Sequence, residues 1–293
     1  MFITIGISIY NAELYLADAI KSIISQSVAT WELILIDDGS TDNSLSIAKS
    51  FAQKDSRIRI ISDGQNRKLP FRLNQIVQEA KYDYIARMDA DDLINPFRLE
   101  KQLKFLEKNE EYDLVSTGIL SVKNDLSLVG YRGTSENKNI NLQDAILGAT
   151  GIIHASIMVR KAWFLRNLYN ENNRLAEDYE LWLSAFLKDD LKVGFIEEPL
   201  YYYREDQNIQ LNKLLQAYST QIEIISKLSN DKLSDKLKTQ FVNKFRFKKM
   251  IVKTIFLMKM DFILHRRRVD VTQNNLYLPV LLETIDKINQ IEI

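Results

Sequence analysis

The chain has 293 residues, enough for one large domain or two moderate ones with a sizeable core. Its 39 basic and 39 acidic residues balance, so the total charge points to no particular partner. It contains no cysteine, which excludes disulfides and thiolate metal sites and is compatible with a reducing compartment.

No segment of the sequence is typical of a signal peptide or a membrane span. The apolar run 2–9 is short and is followed at once by polar residues. The best candidate for a span, 250–264, is interrupted by two lysines and an aspartate. We therefore expect a cytoplasmic protein without a spanning helix.

The first half of the chain alternates apolar strand-like runs with helical patterns. Strands are predicted at 3–9, 31–36, 57–62 and 82–88, each followed by a helix, the last of which runs from Pro96 to about Lys108. Asn11 is expected to cap the first helix and Thr41 or Asp42 the second. Continuous apolar strands separated by helices indicate a parallel sheet covered on both faces.

The second half is predicted to contain further strands and then helices. The expected elements are strands at 113–122 and 126–131, a strand at 152–160, a helix at 177–187, strands at 192–197 and 200–204 separated by Pro199, and helices from about Leu211 onward. Between Lys232 and Arg268, 12 Lys and Arg stand against two acidic residues, a net charge of +10. This basic segment can be a solvated face, a surface for an anionic membrane or a site for a protein partner, and nothing else in the sequence supports nucleic-acid binding.

Two acidic clusters follow strands that should end at the same edge of the sheet. Asp37-Asp38 follows the second strand, and Asp89-Ala90-Asp91-Asp92 follows the fourth. Crowded carboxylates repel one another unless a cation neutralises them, and Mg²⁺ or Mn²⁺ often takes one or two carboxylates together with phosphates. The alternative is a pair of helix-capping turns, with Asp92 or Asn95 capping the helix near Pro96. A carboxylate can accept a hydrogen bond from a uracil N–H, and a cation can neutralise a diphosphate. The two acidic clusters together therefore favour a site for a uridine diphosphate compound.

Four segments together resemble the family 2 glycosyltransferases with a GT-A fold, particularly bacterial enzymes that build lipooligosaccharide, capsule or O-antigen chains. The segments are Ser8-Ile9-Tyr10-Asn11, 36–42, 88–92 and 176–182, in the family's order. The resemblance implies an α/β, Rossmann-like fold with a mainly parallel sheet flanked by helices and a helical C-terminal extension. It implies a catalytic domain at 1–206, divided into a nucleotide-sugar part (1–109) and an acceptor part (110–206), followed by the extension at 207–293.

The resemblance also implies an inverting transfer from a nucleotide sugar, dependent on Mn²⁺ or Mg²⁺. By position, Asp38 with Asp37 would hold the uracil, Ile9 and Tyr10 would line the nucleoside pocket, Arg87 would meet the diphosphate or ribose, Asp89 and Asp91 would form the DxD motif with Asp91 as direct metal ligand, and Asp178 would be the catalytic base. A carboxylate base on the face opposite the leaving group suits inversion.

Other residues have weaker parallels in the family. His154 can bind acceptor or diphosphate or be structural, Glu177 can bind acceptor or, like Asp178, favour the helix dipole, and Arg67 and Arg204 can approach the donor phosphates. The sequence departs from the family at Asp206, where a histidine is usual, and at the 66–69 loop, which lacks a common glycine.

The expected partners are a UDP-sugar and a glycan or lipid-linked glycan acceptor, with peripheral contact at the inner face of the cytoplasmic membrane. Specificity for the donor sugar, the acceptor and the linkage should depend on the pocket shape, which is set by loops around 131–154 and 166–176. Two other classes remain open. A nucleotidyltransferase would carry a glycine-rich basic loop near the first strand, which is absent from residues 8–11. A non-catalytic glycan- or membrane-binding module is disfavoured by the intact carboxylates.

Overall fold

The computed structural model describes residues 2–173, 175–205, 211–260 and 270–292. The strands are β1 (Ile3–Ile9), β2 (Trp31–Asp37), β3 (Ile58–Ser62), β4 (Tyr84–Arg87), β5 (Leu93–Ile94), β6 (Leu114–Val122), β7 (Leu128–Arg132), β8 (Met158–Arg160) and β9 (Val193–Arg204). The helices are α1 (Leu16–Ile24), α2 (Ser44–Lys54), α3 (Leu69–Glu79), α4 (Arg98–Lys108), α5 (Leu142–Leu147), α6 (Lys161–Arg166), α7 (Glu177–Leu187), α8 (Leu211–Lys227), α9 (Asp235–Leu257) and α10 (Asn274–Asn289), with a 3₁₀ turn at His154–Ser156.

The strands form one mainly parallel sheet, as predicted. Its order is β3-β2-β1-β4-β8-β6-β9-β5, with β7 paired beside β6. Strands β1 to β4 are parallel to one another, and β6 and β9 run in the same direction because β8 is antiparallel to both β4 and β6. The carboxyl ends of β1, β2, β4 and β9 therefore lie along one edge.

The parallel strands are buried on both faces, which explains their continuous apolar sequences. Ile3, Ile5, Ile7 and Ile9 belong to one core cluster, whereas α3 packs in a second cluster. Helix α3 approaches β1 closely at Gly6, where a Cβ would overlap the side chain of Ile76. This contact places the loop before α3 beside the ends of β1 and β2.

Several local predictions differ from the structure. Neither Thr41 nor Asp42 is the N-cap of α2, which begins at Ser44 after Asn43. Asn11 does not cap α1; its Oδ1 accepts from Thr41 N at 2.8 Å, so it ties the loops after β1 and β2 together, and α1 begins only at Leu16. Val193–Arg204 is one strand rather than two, because the irregular register opposite Gly118 accommodates Pro199, which lacks an N–H. Within 152–160, only Met158–Arg160 is a strand.

The C-terminal helices are seated on the sheet domain at two places. Ile225 of α8 and Phe241 and Phe245 of α9 share a core cluster with α5 and α7. Leu281 and Ile288 of α10 pack with residues of β5, β6 and β9. In the described ranges, no helix is both long enough and apolar enough to cross a membrane.

Candidate active site

The carboxyl edge of the sheet opens into a cavity of ≈ 1060 Å³. Five of the residues singled out from the sequence line it: Arg87, Asp89, His154, Glu177 and Asp178. They come from the end of β4, the 3₁₀ turn and the first turn of α7, which are far apart in the chain. Asp37, Asp38, Ile9, Tyr10, Arg67, Asp91 and Arg204 do not belong to this lining.

Arg87 and Asp89 form a fixed ion pair on the wall of the cavity. Nη2 of Arg87 lies 2.7 Å from Oδ1 of Asp89, and the Arg87 residue is 5% exposed. Burial is the largest single influence and would lower the pKa of Arg87, but Asp89 and the other negative groups around it, including Glu177, together outweigh burial and raise the pKa. Behind the pair, the buried Arg98 donates to the carbonyl of Arg87 at 2.8 Å, and burial lowers the pKa of Arg98 to about 10.

Asp91 and Asp92 have opposite environments although they are adjacent. Asp92 is buried, and its carboxylate accepts from Tyr201 Oη at 2.7 Å and from Arg204 N at 2.8 Å. Asp91 is exposed, yet partial loss of hydration and then repulsion from the Asp89 carboxylate raise its pKa. Asp92 therefore fixes the segment, and Asp91 is the carboxylate that remains accessible.

This arrangement fits a divalent cation shared with a phosphate ligand. Within the described ranges, no three His, Cys, Asp or Glu side chains converge as an all-protein metal site. Mg²⁺ is commonly held by one or two carboxylates plus substrate phosphates. A cation would relieve the repulsion from Asp89 that, after burial, raises the pKa of Asp91. Asp91, with Asp89 beside it, has the hard oxygen donors that such an ion prefers.

Asp37 and Asp38, at the end of β2, hold the neighbouring loops by hydrogen bonds. Asp37 accepts from Ser40 N at 3.2 Å and from Ser62 Oγ at 3.0 Å. Asp38 accepts three hydrogen bonds, from the backbone N–H of residues 67 and 68 and from the Nε of residue 72, at 2.7, 3.1 and 2.8 Å. The Ile9 side chain is fully buried in the core, whereas Tyr10 is 52% exposed beside this loop.

Arg72 organises this loop, and sequence reasoning gave it no role. It is fully buried and forms ion pairs with Asp38 at 2.8 Å and Asp63 at 2.6 Å. The available signal was an arginine among the apolar positions of α3. Arg67 pairs with Asp63 at 2.9 Å and is partly exposed. Lys68, in the 66–69 loop that lacks a common glycine, has φ 75° and ψ 160°, a region essentially reserved for glycine.

Two carboxylates stand at the start of α7. Burial raises the pKa of both Glu177 and Asp178. Oδ1 of Asp178 accepts from Tyr179 N at 2.7 Å, and its Oδ2 accepts no hydrogen bond from the described residues. A partly buried carboxylate with a free oxygen and a raised pKa is suited to accept a proton.

His154 lines the same cavity, as a neutral imidazole. Burial and then the charge of Arg87 lower the pKa of His154 well below its ordinary value. Its Nε2 lies 2.7 Å from Oη of Tyr169, and its ring lies edge-on to Trp182. Tyr169 was not foreseen, because it follows α6 in an irregular segment with no recognisable motif.

Arg204 secures the acidic segment from the end of β9. Its guanidinium donates to Asp91 O at 2.6 Å, to Asn124 O at 2.7 Å and to Asp18 Oδ2 at 3.2 Å, and its side chain is 4% exposed. Its contact with phosphate stays a prediction. Asp206 lies outside the described residues.

Comparison with known proteins places the chain among glycosyltransferases. Residues 4–166 match the family model described as glycosyl transferase family 2. The Bacillus subtilis protein EpsE is 39% identical over 211 residues, covering 70% of this chain and 74% of its own length. The Bacillus subtilis protein TuaG, whose name assigns it to teichuronic acid biosynthesis, is 29% identical over 217 residues, covering 72% and 82%.

Solved structures support the fold. S. aureus TarS residues 1–349 in complex with UDP-GlcNAc superposes with a TM-score of 0.62 at 17% identity, covering 98% of this chain and 82% of that one. The Pyrobaculum calidifontis mannosyltransferase PcManGT, in complex with GDP-Man and Mn²⁺, gives 0.59 at 14% identity, covering 97% and 83%. With the matched family model and the EpsE identity, these findings show that the chain belongs to glycosyl transferase family 2.

Proposed function

We propose that the protein is an inverting glycosyltransferase that moves one sugar from a UDP-sugar to a hydroxyl of a surface-glycan acceptor. One observation carries the proposal: the Arg87–Asp89 pair and the carboxylate of Asp178 line the same cavity from separate elements. The side of the cavity formed by Arg87 and Asp89 suits a diphosphate leaving group, and the side formed by Asp178 suits an attacking hydroxyl. A single-step inversion requires both at once.

In the proposed reaction, the acceptor oxygen attacks the anomeric carbon as the bond from that carbon to the diphosphate oxygen breaks. Asp178 Oδ2 accepts the hydroxyl proton, and its raised pKa makes it a stronger base than an ordinary aspartate. Arg87 holds positive charge beside the departing diphosphate. Glu177 orients the acceptor, and neutral His154 offers a hydrogen bond to acceptor or diphosphate.

We propose that Asp91, with Asp89, holds Mn²⁺ or Mg²⁺, which when bound neutralises charge on the diphosphate. PcManGT was solved with Mn²⁺, which supports the choice of ion. The test is a Mn²⁺ titration of UDP binding. Asp91→Asn should weaken the Mn²⁺ dependence at least tenfold, whereas Asp125→Asn, an exposed turn residue, should match wild type. An unchanged Mn²⁺ dependence in Asp91→Asn would remove the residue from the site.

The uridine assignment depends on remaining hydrogen-bond capacity at the end of β2. A carboxylate has roughly four acceptor positions. Asp38 uses three of them and Asp37 two, so each retains acceptor capacity for an N–H of uracil, which has to reach residues that are only 4% and 1% exposed. TarS was solved with UDP and UDP-GlcNAc, whereas PcManGT was solved with GDP-Man, so the base needs a direct test.

The decisive experiment is a donor screen with the full chain. UDP-, GDP- and CMP-sugars are incubated with Mn²⁺ and a crude glycolipid acceptor, and nucleotide release is measured. We expect release from a UDP-sugar, and NMR of the product should show the inverted anomeric configuration. Release from no donor would refute the enzymatic proposal, and retained configuration would refute the mechanism.

We further propose that the chain works at the cytoplasmic face of the membrane and that α9 contacts anionic lipid. Seven Lys and Arg in α9 stand against Asp235 alone, and its exposed apolar side chains include Phe247, Met250 and Ile251. Basic and apolar residues on one helix suit an anionic interface. The division at residue 206 into catalytic domain and extension belongs to the same proposal.

Deleting residues from 232 onward would be a poor test of lipid binding, because it removes the buried Phe241 and Phe245 from a core. The double variant Phe247→Ser/Ile251→Ser keeps those contacts. It should reduce cosedimentation with phosphatidylglycerol vesicles, while phosphatidylcholine vesicles serve as the control. Equal cosedimentation of wild type and variant would refute lipid binding by α9.

A further inference from the structure

A second, smaller cavity of ≈ 180 Å³ adjoins the large one at the start of α7. The two cavities share Gly148, Ile152 and Asp178 as lining residues. The proposed base therefore stands at the boundary between them. If the donor occupies the large cavity and Asp178 receives the acceptor proton, the small cavity is the space beside the base in which the ring of the acceptor sugar can lie.

Two residues of the small cavity carry buried polar atoms without partners. Nε1 of Trp182 and Oε1 of Gln221 form no hydrogen bond with any described residue. The fold satisfies comparable groups nearby: Nε1 of Trp163 donates to Asp190 O at 2.5 Å, and Tyr179 Oη donates to Ile146 O at 2.8 Å. An unpaired buried donor and an unpaired buried acceptor, on two residues that line one cavity, match a ligand whose hydroxyl groups both accept and donate.

The charge of the lining narrows the ligand. Among the described lining residues, Asp178 is the only charged one, and the rest are apolar, aromatic or neutral polar. A phosphate or uronate group here would meet a carboxylate with no described cation to offset it. An uncharged pyranose, which presents apolar C–H faces and hydroxyl edges, suits Tyr179, Trp182 and Gln221.

The C-terminal extension completes this cavity. Ala217 and Gln221 are one turn apart on α8 and line it together, and α8 lies beyond the residues 4–166 that match the family model. The contribution comes from the region of the chain that carries no family motif. Sequence reasoning gave α8 no role in the site.

From these observations we infer that the small cavity is the subsite for the terminal, uncharged sugar ring of the acceptor, with Trp182 Nε1 donating to its hydroxyl groups and Gln221 Oε1 accepting from them. The inference rests on the proposed glycosyltransferase function. It adds two specificity-determining residues and a substrate class to that function.

The test is direct binding of sugars to the full chain saturated with UDP and Mn²⁺. The probes are methyl glycosides of neutral hexoses and N-acetylhexosamines, compared with methyl glucuronide and glucose 6-phosphate, and dissociation constants are measured by ligand-observed NMR. We expect at least one neutral glycoside to bind. Gln221→Leu should weaken its binding about tenfold, as expected for one lost hydrogen bond, and leave UDP affinity unchanged.

Gln216→Leu is the matched control, because the same substitution falls on the exposed side of α8, outside both cavities. Trp182→Phe is the second variant; it keeps an aromatic ring but lacks the N–H, and thermal unfolding verifies that each variant folds. Equal glycoside binding by wild type, Gln221→Leu and Trp182→Phe would overturn the subsite. So would tighter binding of the charged sugars, or the absence of neutral glycoside binding by wild type.

Because the readout is binding, the outcome is separate from the donor screen. Loss of glycoside binding in Gln221→Leu supports the subsite even if no donor is turned over. Conversely, turnover with unchanged glycoside binding in that variant supports the enzyme and overturns the subsite.

Discussion

The proposed donor side, at the ends of β2 and β4, and the proposed acceptor side, at the start of α7, are built differently. On the donor side, the side chains of Asp38, Arg72 and Asp92 are held by hydrogen bonds and ion pairs within the protein. On the acceptor side, Asp178 Oδ2, Trp182 Nε1 and Gln221 Oε1 have no partner among the described residues. The first region is organised before any ligand arrives, whereas the second keeps hydrogen-bonding capacity for one.

This difference indicates which part of the site can determine selectivity for the acceptor. A donor site built on the rigid ends of parallel strands can be shared by enzymes with different acceptors, because the nucleotide and diphosphate change little. The acceptor side combines two loops with α7 and α8, elements that can vary without disturbing the sheet. Three substitutions test this contrast.

The largest effect should come from the unpaired carboxylate. Asp178→Asn cannot accept the hydroxyl proton, so turnover should fall about 10²–10⁴-fold while UDP affinity is unchanged. In wild type, kcat/KM should fall as pH drops through the pKa of Asp178, which burial raises above its ordinary value, because only the deprotonated form is a base. The variant should lose this acid limb.

Asp189→Asn is the control for Asp178→Asn, because this residue lies just beyond α7 and its side chain is 82% exposed. Its steady-state kinetics should match wild type. Wild-type turnover in Asp178→Asn would show that another group is the base, and the unpaired Asp178 carboxylate would then have no catalytic role.

A stability effect should identify the donor side as the preorganised one. Arg72→Met leaves Asp38 buried without its ion-pair partner, so the free energy of unfolding should fall by about 3–5 kcal/mol. Lys104→Met, which breaks a mostly exposed pair with Glu100, should cost at most about 1 kcal/mol. Urea unfolding measures both, and similar losses would contradict the special role of Arg72.

The smallest effect should come from the strained backbone of the loop before α3, residues 63–68. Lys68 occupies a conformation that costs a non-glycine residue about 1–3 kcal/mol. Lys68→Gly should relieve that strain at some cost in unfolded-state entropy, for a net gain of about 1 kcal/mol in urea unfolding. Lys68→Ala retains the strain and should give no gain. A gain in both variants would point to the lysine side chain rather than the backbone.

Several site features were predictable because they depend on local pattern. Asp37, Asp38, Asp89 and Asp91 follow apolar strands, and parallel strands bring their carboxyl ends to one edge. That the two acidic neighbours Asp91 and Asp92 would separate into an accessible and a buried carboxylate was not predictable. Tyr201 and Arg204, more than a hundred residues later, decide it.

The sequence by itself determined the α/β architecture, the family and the order of the acidic motifs, because burial periodicity and short motifs are written locally. Only the tertiary structure showed that Arg72 holds Asp38, that Tyr169 contacts His154, and that α8 closes a second cavity beside Asp178. Each of these contacts joins segments distant in the chain, and such contacts depend on how helices pack on the sheet.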